Sequence, residues 1–229
     1  MDAHPLTAPD TRPRLLDLCC GAGGASLGYH QAGFAVTGVD IAPQPNYPFT
    51  FHQADALEFL AAHGHEFDAI HISPPCQAYS PLNAYNHKTY PDFIGDARDL
   101  LIRTNVPWVI ENVVQAPLHQ PIVLCGAMFG LQLYRHRGFE TSRPITAPAH
   151  PEHLHRCARN GYLPQPGQFM TITGGRHSRA WQAKAAQVMG TPWTRTIREV
   201  CEAIPPAYTR YIGTTLATHL TTTTAPAAA

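Results

Sequence analysis

The 229-residue chain has no net charge, and no internal repeat is found along it. The N-terminal stretch MDAHPLTAPDTRP lacks an apolar run. Neither a signal peptide nor a membrane anchor is therefore expected, and a cytoplasmic protein that meets no membrane follows by default. Cysteine is sparse: six residues, two of them adjacent as Cys19 and Cys20, do not resemble a disulfide framework in a chain of this size. A reducing compartment suits them better, and it leaves thiols available for chemistry.

What is present is 44% hydrophobic residues, enough for one domain with a core and a small appended lobe. The zero balance of charge hides a division. Residues 1–134 hold 5 Lys+Arg against 12 Asp+Glu, whereas residues 135–229 hold 11 against 4. Ten of those eleven basic residues are arginine, whose fork suits phosphate and guanine edges, so the second half is the one expected to face a polyanion. A solvated basic face, or an internal match to the acidic half, is the plainer reading of the same charges.

Strand-like and helix-like segments alternate. RLLDLCC reads as a buried strand entering the turn GAGG, followed by the helix ASLGYHQAG and the strand FAVTGVD; then come ALEFLAAHG, FDAIHIS, DARDLLIRT and PWVIENV. This alternation predicts a doubly wound, mostly parallel α/β sheet of Rossmann type. Residues 1–13 are expected to be disordered, residues 14–140 to form the core, and 141–180, rich in Pro, His and Arg, to form a loop-rich lobe. Helices in 181–217 would complete the core, and 218–229 would be a disordered tail.

Three places carry chemistry. Gly21, Gly23 and Gly24 lie between a strand and a helix, where missing side chains let a ligand approach the backbone. Asp40 ends the next strand, 23 positions after Asp17, the spacing of a carboxylate that binds ribose hydroxyls. An adenosine-containing cofactor is expected; the third glycine of the dinucleotide fingerprint is missing, which weakens NAD. Cys76, behind Pro74 and Pro75, follows the third strand, and Glu111 ends PWVIENV in the corresponding place. A lone cysteine at a strand end is usually packed and a lone glutamate is often a cap, but both beside a glycine turn suggest a two-residue chemistry. His150, His153, His155 and Cys157 are zinc-ligand types, yet their H-x2-H-x-H-x-C spacing is not that of a standard structural site. No metal is expected there; a histidine-rich loop facing phosphate is.

The blocks DLCCGAGGASLGYHQAGF, VTGVDI, QADAL, SPPCQAYS, VIENV, LYRHRGFE and IPPAYTRYIG resemble, in order, those of the cytosine-C5 DNA methyltransferases, and look most like the compact forms found in bacteriophages. The likeness covers most of residues 14–140 and 180–217. It implies the S-adenosylmethionine-dependent methyltransferase fold, DNA as partner, and an enzyme of the restriction-modification kind acting as a monomer. It also implies roles: Cys76 as nucleophile, Glu111 as the carboxyl holding the base, and Arg135 and Arg137 as contacts to a flipped cytosine. Asp17, Cys19, Gly21, Gly23, Gly24, Asp40, Ile41, Asp55 and Pro75 would line the cofactor pocket. Gln77, Ser80, Arg176, His177 and Arg179 would meet DNA, and residues 80–93 would form a loop closing over the base. Cys19 and Leu133 depart from the pattern, standing where the family often has phenylalanine and glutamine. The small lobe implies short or loose sequence recognition. The alternatives are an RNA cytosine methyltransferase, an enzyme using a modified cofactor, a small-molecule methyltransferase and an inactive nucleic-acid-binding protein.

Overall fold

A computed structural model describes residues 10–79 and 92–224. Seven strands form one sheet: β1 (Arg14–Leu18), β2 (Ala35–Asp40), β3 (Thr50–Gln53), β4 (Ala69–Ile72), β5 (Trp108–Asn112), β6 (Ile122–Leu124) and β7 (Arg137–Thr141). Their order is β3-β2-β1-β4-β5-β7-β6. Strands β1 to β5 are mutually parallel, and β7 runs antiparallel to both β5 and β6. The sheet is thus the doubly wound, mostly parallel one that the sequence predicts.

Burial explains which strands were legible. Every residue of β4 and β5, and all of β1 after Arg14, is buried, so these strands read as continuous apolar runs. Successive residues serve opposite faces. Leu15, Val36, Ala69, Val109 and Phe139 pack with α1 (Gly24–Gln31) and α6 (Pro206–Thr224). Leu16, Leu18, Ile70, Ile72 and Ile110 pack on the other face with α2 (Ala56–His63) and α3 (Ile94–Thr104). Strands β3, β6 and β7 were not read from sequence. The first is largely exposed, the second has three residues, and the third returns antiparallel without a crossover helix to announce it.

Helices α1 and α6 touch closely because glycine permits it. A Cβ at Gly28 would lie 2.0 Å from Thr209 Oγ1 and 2.2 Å from the Pro206 carbonyl oxygen. The Thr209 hydroxyl donates to the Ala25 carbonyl at 2.8 Å across the same seam.

Three expected boundaries change. Helix α6 continues through Thr224, so residues 218–224 are helical rather than a disordered tail: Leu216 and Leu220 pack against the core, and threonine hydroxyls bond carbonyls one turn back, as Thr218 does to Thr214 at 3.0 Å. Residues 10–13 are placed ahead of β1, with Pro13 accepting from the Ala35 amide at 2.9 Å. The C-terminal helices also divide their work. While α6 completes the main core, α4 (Arg179–Met189) and α5 (Ile197–Glu202) enclose Trp181 together with Leu133, Met170 and Ile172. The 141–180 region therefore shares a satellite core with α4 and α5, and between the end of β7 and the start of α4 its described residues contribute only short bridges.

Candidate active site

The chain leaves β1 toward β2 on one side, while β4 lies on the other. This divergence opens a crevice at the carboxyl ends of β1 and β4, the place where open α/β sheets bind ligands. The glycine turn and the Pro-Pro-Cys segment both start there.

In the turn, Cys19, Gly21 and Gly23 take positive φ values of 56°, 50° and 86°. For Cys19 this is an uncommon conformation for a side-chain-bearing residue. A Cβ at Gly21 would meet nothing within 4 Å, so open space faces its backbone. At Gly24 a Cβ would lie 2.5 Å from the Ile204 carbonyl oxygen, so its missing side chain is required by protein packing. Asp40 accepts from the Gly21 amide at 3.0 Å and the Ala42 amide at 2.9 Å, one oxygen each, and each oxygen retains acceptor capacity. Beside it, Ile41 is 72% exposed, an apolar surface at the rim of the crevice. Asp55 caps α2, its Oδ1 accepting from the amides of Leu57 and Glu58.

Asp17 is wholly buried on β1. Its Oδ2 accepts from the Ser26 hydroxyl, which also bonds the Tyr47 hydroxyl at 2.8 Å, while Oδ1 has no partner among the described residues. Burial pushes its pKa up to about 7, the Ser26 bond opposes this, and the charges of Asp40 and Glu111 add to it. Trp193, far along the chain, donates from its indole to the Ala22 carbonyl at 2.7 Å and pins the turn from outside.

Cys76 is half-buried after β4, and the Asn112 amide donates to the Pro74 carbonyl at 2.9 Å, tying its loop to β5. Burial raises the thiol pKa; Arg137 opposes this most, Glu111 raises it further, and Arg135 lowers it. Thiol, carboxyl and arginines thus feel one another. Glu111 is 4% exposed, with Arg137 Nε 3.1 Å from its Oε1. Burial again raises the carboxyl pKa, against Arg137, a Ser73 hydrogen bond and Arg135.

The two arginines have different surroundings. Arg137 faces Glu111, and its Nη1 donates to the His136 carbonyl at 2.9 Å. Arg135 donates to the carbonyls of Ile172 and Cys201, tying the core to the satellite lobe, and its buried Nε has no partner among the described residues. Burial, then Arg137, pushes its pKa down to about 9.

Sequence reasoning gave His71 no role, but it lies in a buried polar chain. Its Nδ1 pairs with the Tyr29 hydroxyl at 2.9 Å and its Nε2 with the Ser73 hydroxyl at 2.9 Å, and Ser73 in turn bonds Glu111. Burial lowers its pKa to about 3, so the ring is neutral at physiological pH. No sequence motif marks this residue; its position on the all-buried β4 beside two polar strand ends is the signal.

Of the residues assigned to DNA, Gln77 lies beside Cys76 with a buried Oε1 that has no partner among the described residues, and Ser80 lies outside the described residues, as do 81–91 of the proposed closing loop. Arg176 and Arg179 are exposed. The ring of His177 packs on Trp181 at 3.8 Å and its Nε2 bonds the Thr173 carbonyl at 2.9 Å, so it helps to shape the turn. The candidate metal set also changes. His155 stacks on Phe169 at 4.5 Å and bonds the Gly167 carbonyl, and exposed Cys157 pairs in a bridge with Phe169; His150 and His153 instead approach Cys125 and His136.

No family model matches the chain, and no curated protein matches it in sequence. Among solved structures, a substituted DNMT2 from Spodoptera frugiperda has a TM-score of 0.56 at 12% identity, over 89% of this chain and 99% of its own. The Dnmt2 methyltransferase of S. pombe has a TM-score of 0.58 at 14% identity, over 91% and 99%. The likeness is one of fold: a seven-stranded, mostly parallel sheet with flanking helices, the Rossmann-like fold of S-adenosylmethionine-dependent methyltransferases.

Proposed function

We propose that the protein is a cytosine-C5 methyltransferase that uses S-adenosylmethionine and acts on DNA. The observation that carries this reading is the pairing of a buried carboxyl with an arginine at the ends of β5 and β7, with a thiol in the loop after the neighbouring β4, beside the glycine turn of β1. The sequence blocks and the fold both support it.

The residues at the crevice suit the cofactor. Open space before Gly21, remaining acceptor capacity on Asp40, the apolar surface of Ile41 and the unpartnered Asp17 Oδ1 match the mixed polar and apolar surface of an adenosyl amino acid. Gly21, Asp40 and Ile41 would hold its nucleoside end. When bound, S-adenosylmethionine supplies an electrophilic methyl group on a sulfonium.

Cytosine C5 is too weak a nucleophile to take that methyl unaided. Cys76, as thiolate, adds to C6 and leaves C5 as an enamine carbon. Glu111, whose carboxyl pKa is raised by burial, would give a proton to N3 as the thiolate adds, and Arg137 stabilises the thiolate beforehand. Once C5 carries the methyl, loss of the C5 proton to a proton acceptor re-forms the C5=C6 double bond as the C6–S bond breaks, its electrons return to sulfur, and N3 gives its proton back to Glu111. The base must leave its duplex to reach Cys76, at a cost of about a few kcal/mol.

Duplex DNA and transfer RNA are offered in parallel with methyl-labelled cofactor, and the nucleosides analysed. Labelled 5-methylcytosine from DNA is expected. Label only in RNA would overturn the DNA assignment, and label in neither, or turnover on small acceptors alone, would overturn the reading.

A further inference from the structure

The described residues contain a second cluster with chemistry of its own, apart from Cys76 and the crevice. One ligand atom from each of Cys125, His136, His150 and His153 lies within 4.8 Å of every other. His136 Nε2 is 3.1 Å from His150 Nε2, and Cys125 Sγ is 3.5 Å from His153 Nε2. We propose that these four side chains form a structural zinc site that fastens the loop-rich lobe to the catalytic sheet.

Two of the six ligand–ligand approaches, 3.1 and 3.5 Å, match edges of a coordination tetrahedron, and the other four lie within 4.8 Å. Zinc bonds of about 2.0 Å to nitrogen and about 2.3 Å to sulfur set nitrogens about 3.3 Å apart and sulfur about 3.5 Å from nitrogen. A hydrogen bond between two imidazoles accounts for one of these approaches, but it gives no reason for four ligands from three segments to converge. One thiolate with three imidazoles favours zinc over the hard cations magnesium and calcium, and four protein ligands leave no open position for catalysis. Binding expels the Cys125 thiol proton to solvent.

The segments joined show what the ion would do. Cys125 follows β6 and His136 precedes β7, so the antiparallel edge of the sheet supplies two ligands. His150 and His153 come from a stretch, residues 144–153, that has no helix or strand of its own. Tyr134 stacks on the His153 ring with centroids 3.7 Å apart and holds it in orientation. The buried thiol anchors the site, while His150 and His153 are exposed and give the ion an entry path. His136 also separates Arg135 from Arg137, and its carbonyl accepts from Arg137 at 2.9 Å. A filled site would fix the segment carrying both arginines, a consequence that rests on the methyltransferase reading, whereas the ion itself does not.

The test is metal analysis of the full chain, produced without a polyhistidine tag in zinc-supplemented cells and dialysed. One equivalent of zinc is expected in the wild type, in Cys157→Ser and in His155→Ala, and close to none in Cys125→Ser and His150→Gln. His150 is exposed, so its variant keeps the test meaningful if Cys125→Ser fails to fold. Cobalt(II) added to metal-free wild type is expected to give tetrahedral d–d bands and a thiolate charge-transfer band that Cys125→Ser or His150→Gln lacks. A folded wild type that holds no metal and shows no cobalt bands overturns the proposal, as does zinc that survives in His150→Gln or disappears in Cys157→Ser. Neither readout needs methyl transfer, so failure here is separable from failure of the proposed activity.

Discussion

Cys76 and Glu111 each require help from a neighbour, and that help is measurable. Arg137 is the largest opposing influence on the burial-raised thiol, so Arg137→Met should move the pH at which Cys76 becomes alkylatable upward, and an unshifted alkylation profile would contradict this. Glu111→Gln keeps the shape of the side chain but cannot deliver a proton, and kcat should fall by about 10²- to 10⁴-fold. Because the wild type needs a thiolate and a protonated carboxyl together, its pH–rate profile should be a bell, and Glu111→Gln should retain only a rise to a plateau. Asp17 makes a prediction about stability. Its folded pKa of about 7 exceeds its ordinary 3.8, so between those values the native state binds more protons than the unfolded one, and stability without cofactor falls as pH rises. Asp17→Asn should flatten that decline in Tm. Cys76, Glu111 and Asp17 stand out in the sequence because they lie at or near the ends of apolar strands, whereas Arg137 is reached only through the family resemblance, its strand β7 carrying no sequence signal. His71 and Trp193 were not legible, because their partners Tyr29, Ser73 and Ala22 are brought together only by folding.

At the scale of elements, the parallel strands announced themselves through apolar runs, and the edge strands did not. Strand β3 presents three of its four residues to solvent, and β7 is recognised only through its pairing with β5. Helix α3 is tied to β7 by Arg98, whose Nε and Nη2 donate to the two oxygens of Glu140 at 2.7 and 2.8 Å. Burial raises the Glu140 pKa, but Arg98 and the His119 amide together hold it below the usual range. Arg98→Met would strand that carboxylate and cost about 3–5 kcal/mol, checked by denaturant unfolding. The α1–α6 seam gives a second case. Gly28→Ala would force a methyl into the Pro206 carbonyl, and a loss of about 1–3 kcal/mol is expected; an unchanged Tm would show that the seam yields freely.

For the whole molecule, the division of charge along the chain has a spatial counterpart: Arg156, Arg159, Arg176 and Arg179 are exposed in and beside the lobe. If Arg176 and Arg179 each neutralise a phosphate, replacing both by alanine should weaken DNA binding and reduce the slope of log affinity against log salt by about 1.8, while cofactor affinity stays unchanged. An unaltered slope would remove them from the interface. The lobe itself was legible only as a loop-rich stretch. That its core comes from α4 and α5, and that two of its histidines face Cys125 and His136, follows from the convergence of segments distant in sequence, which composition does not encode.

The most direct measurement is covalent trapping. DNA carrying 5-fluorocytosine, incubated with the protein and S-adenosylmethionine, blocks loss of a proton from C5, so the adduct should persist and peptide mass spectrometry should place the pyrimidine on Cys76. Cys76→Ser should trap nothing. An adduct on another residue, or none with folded wild-type protein that methylates cytosine, would contradict the assignment of this thiol as the nucleophile.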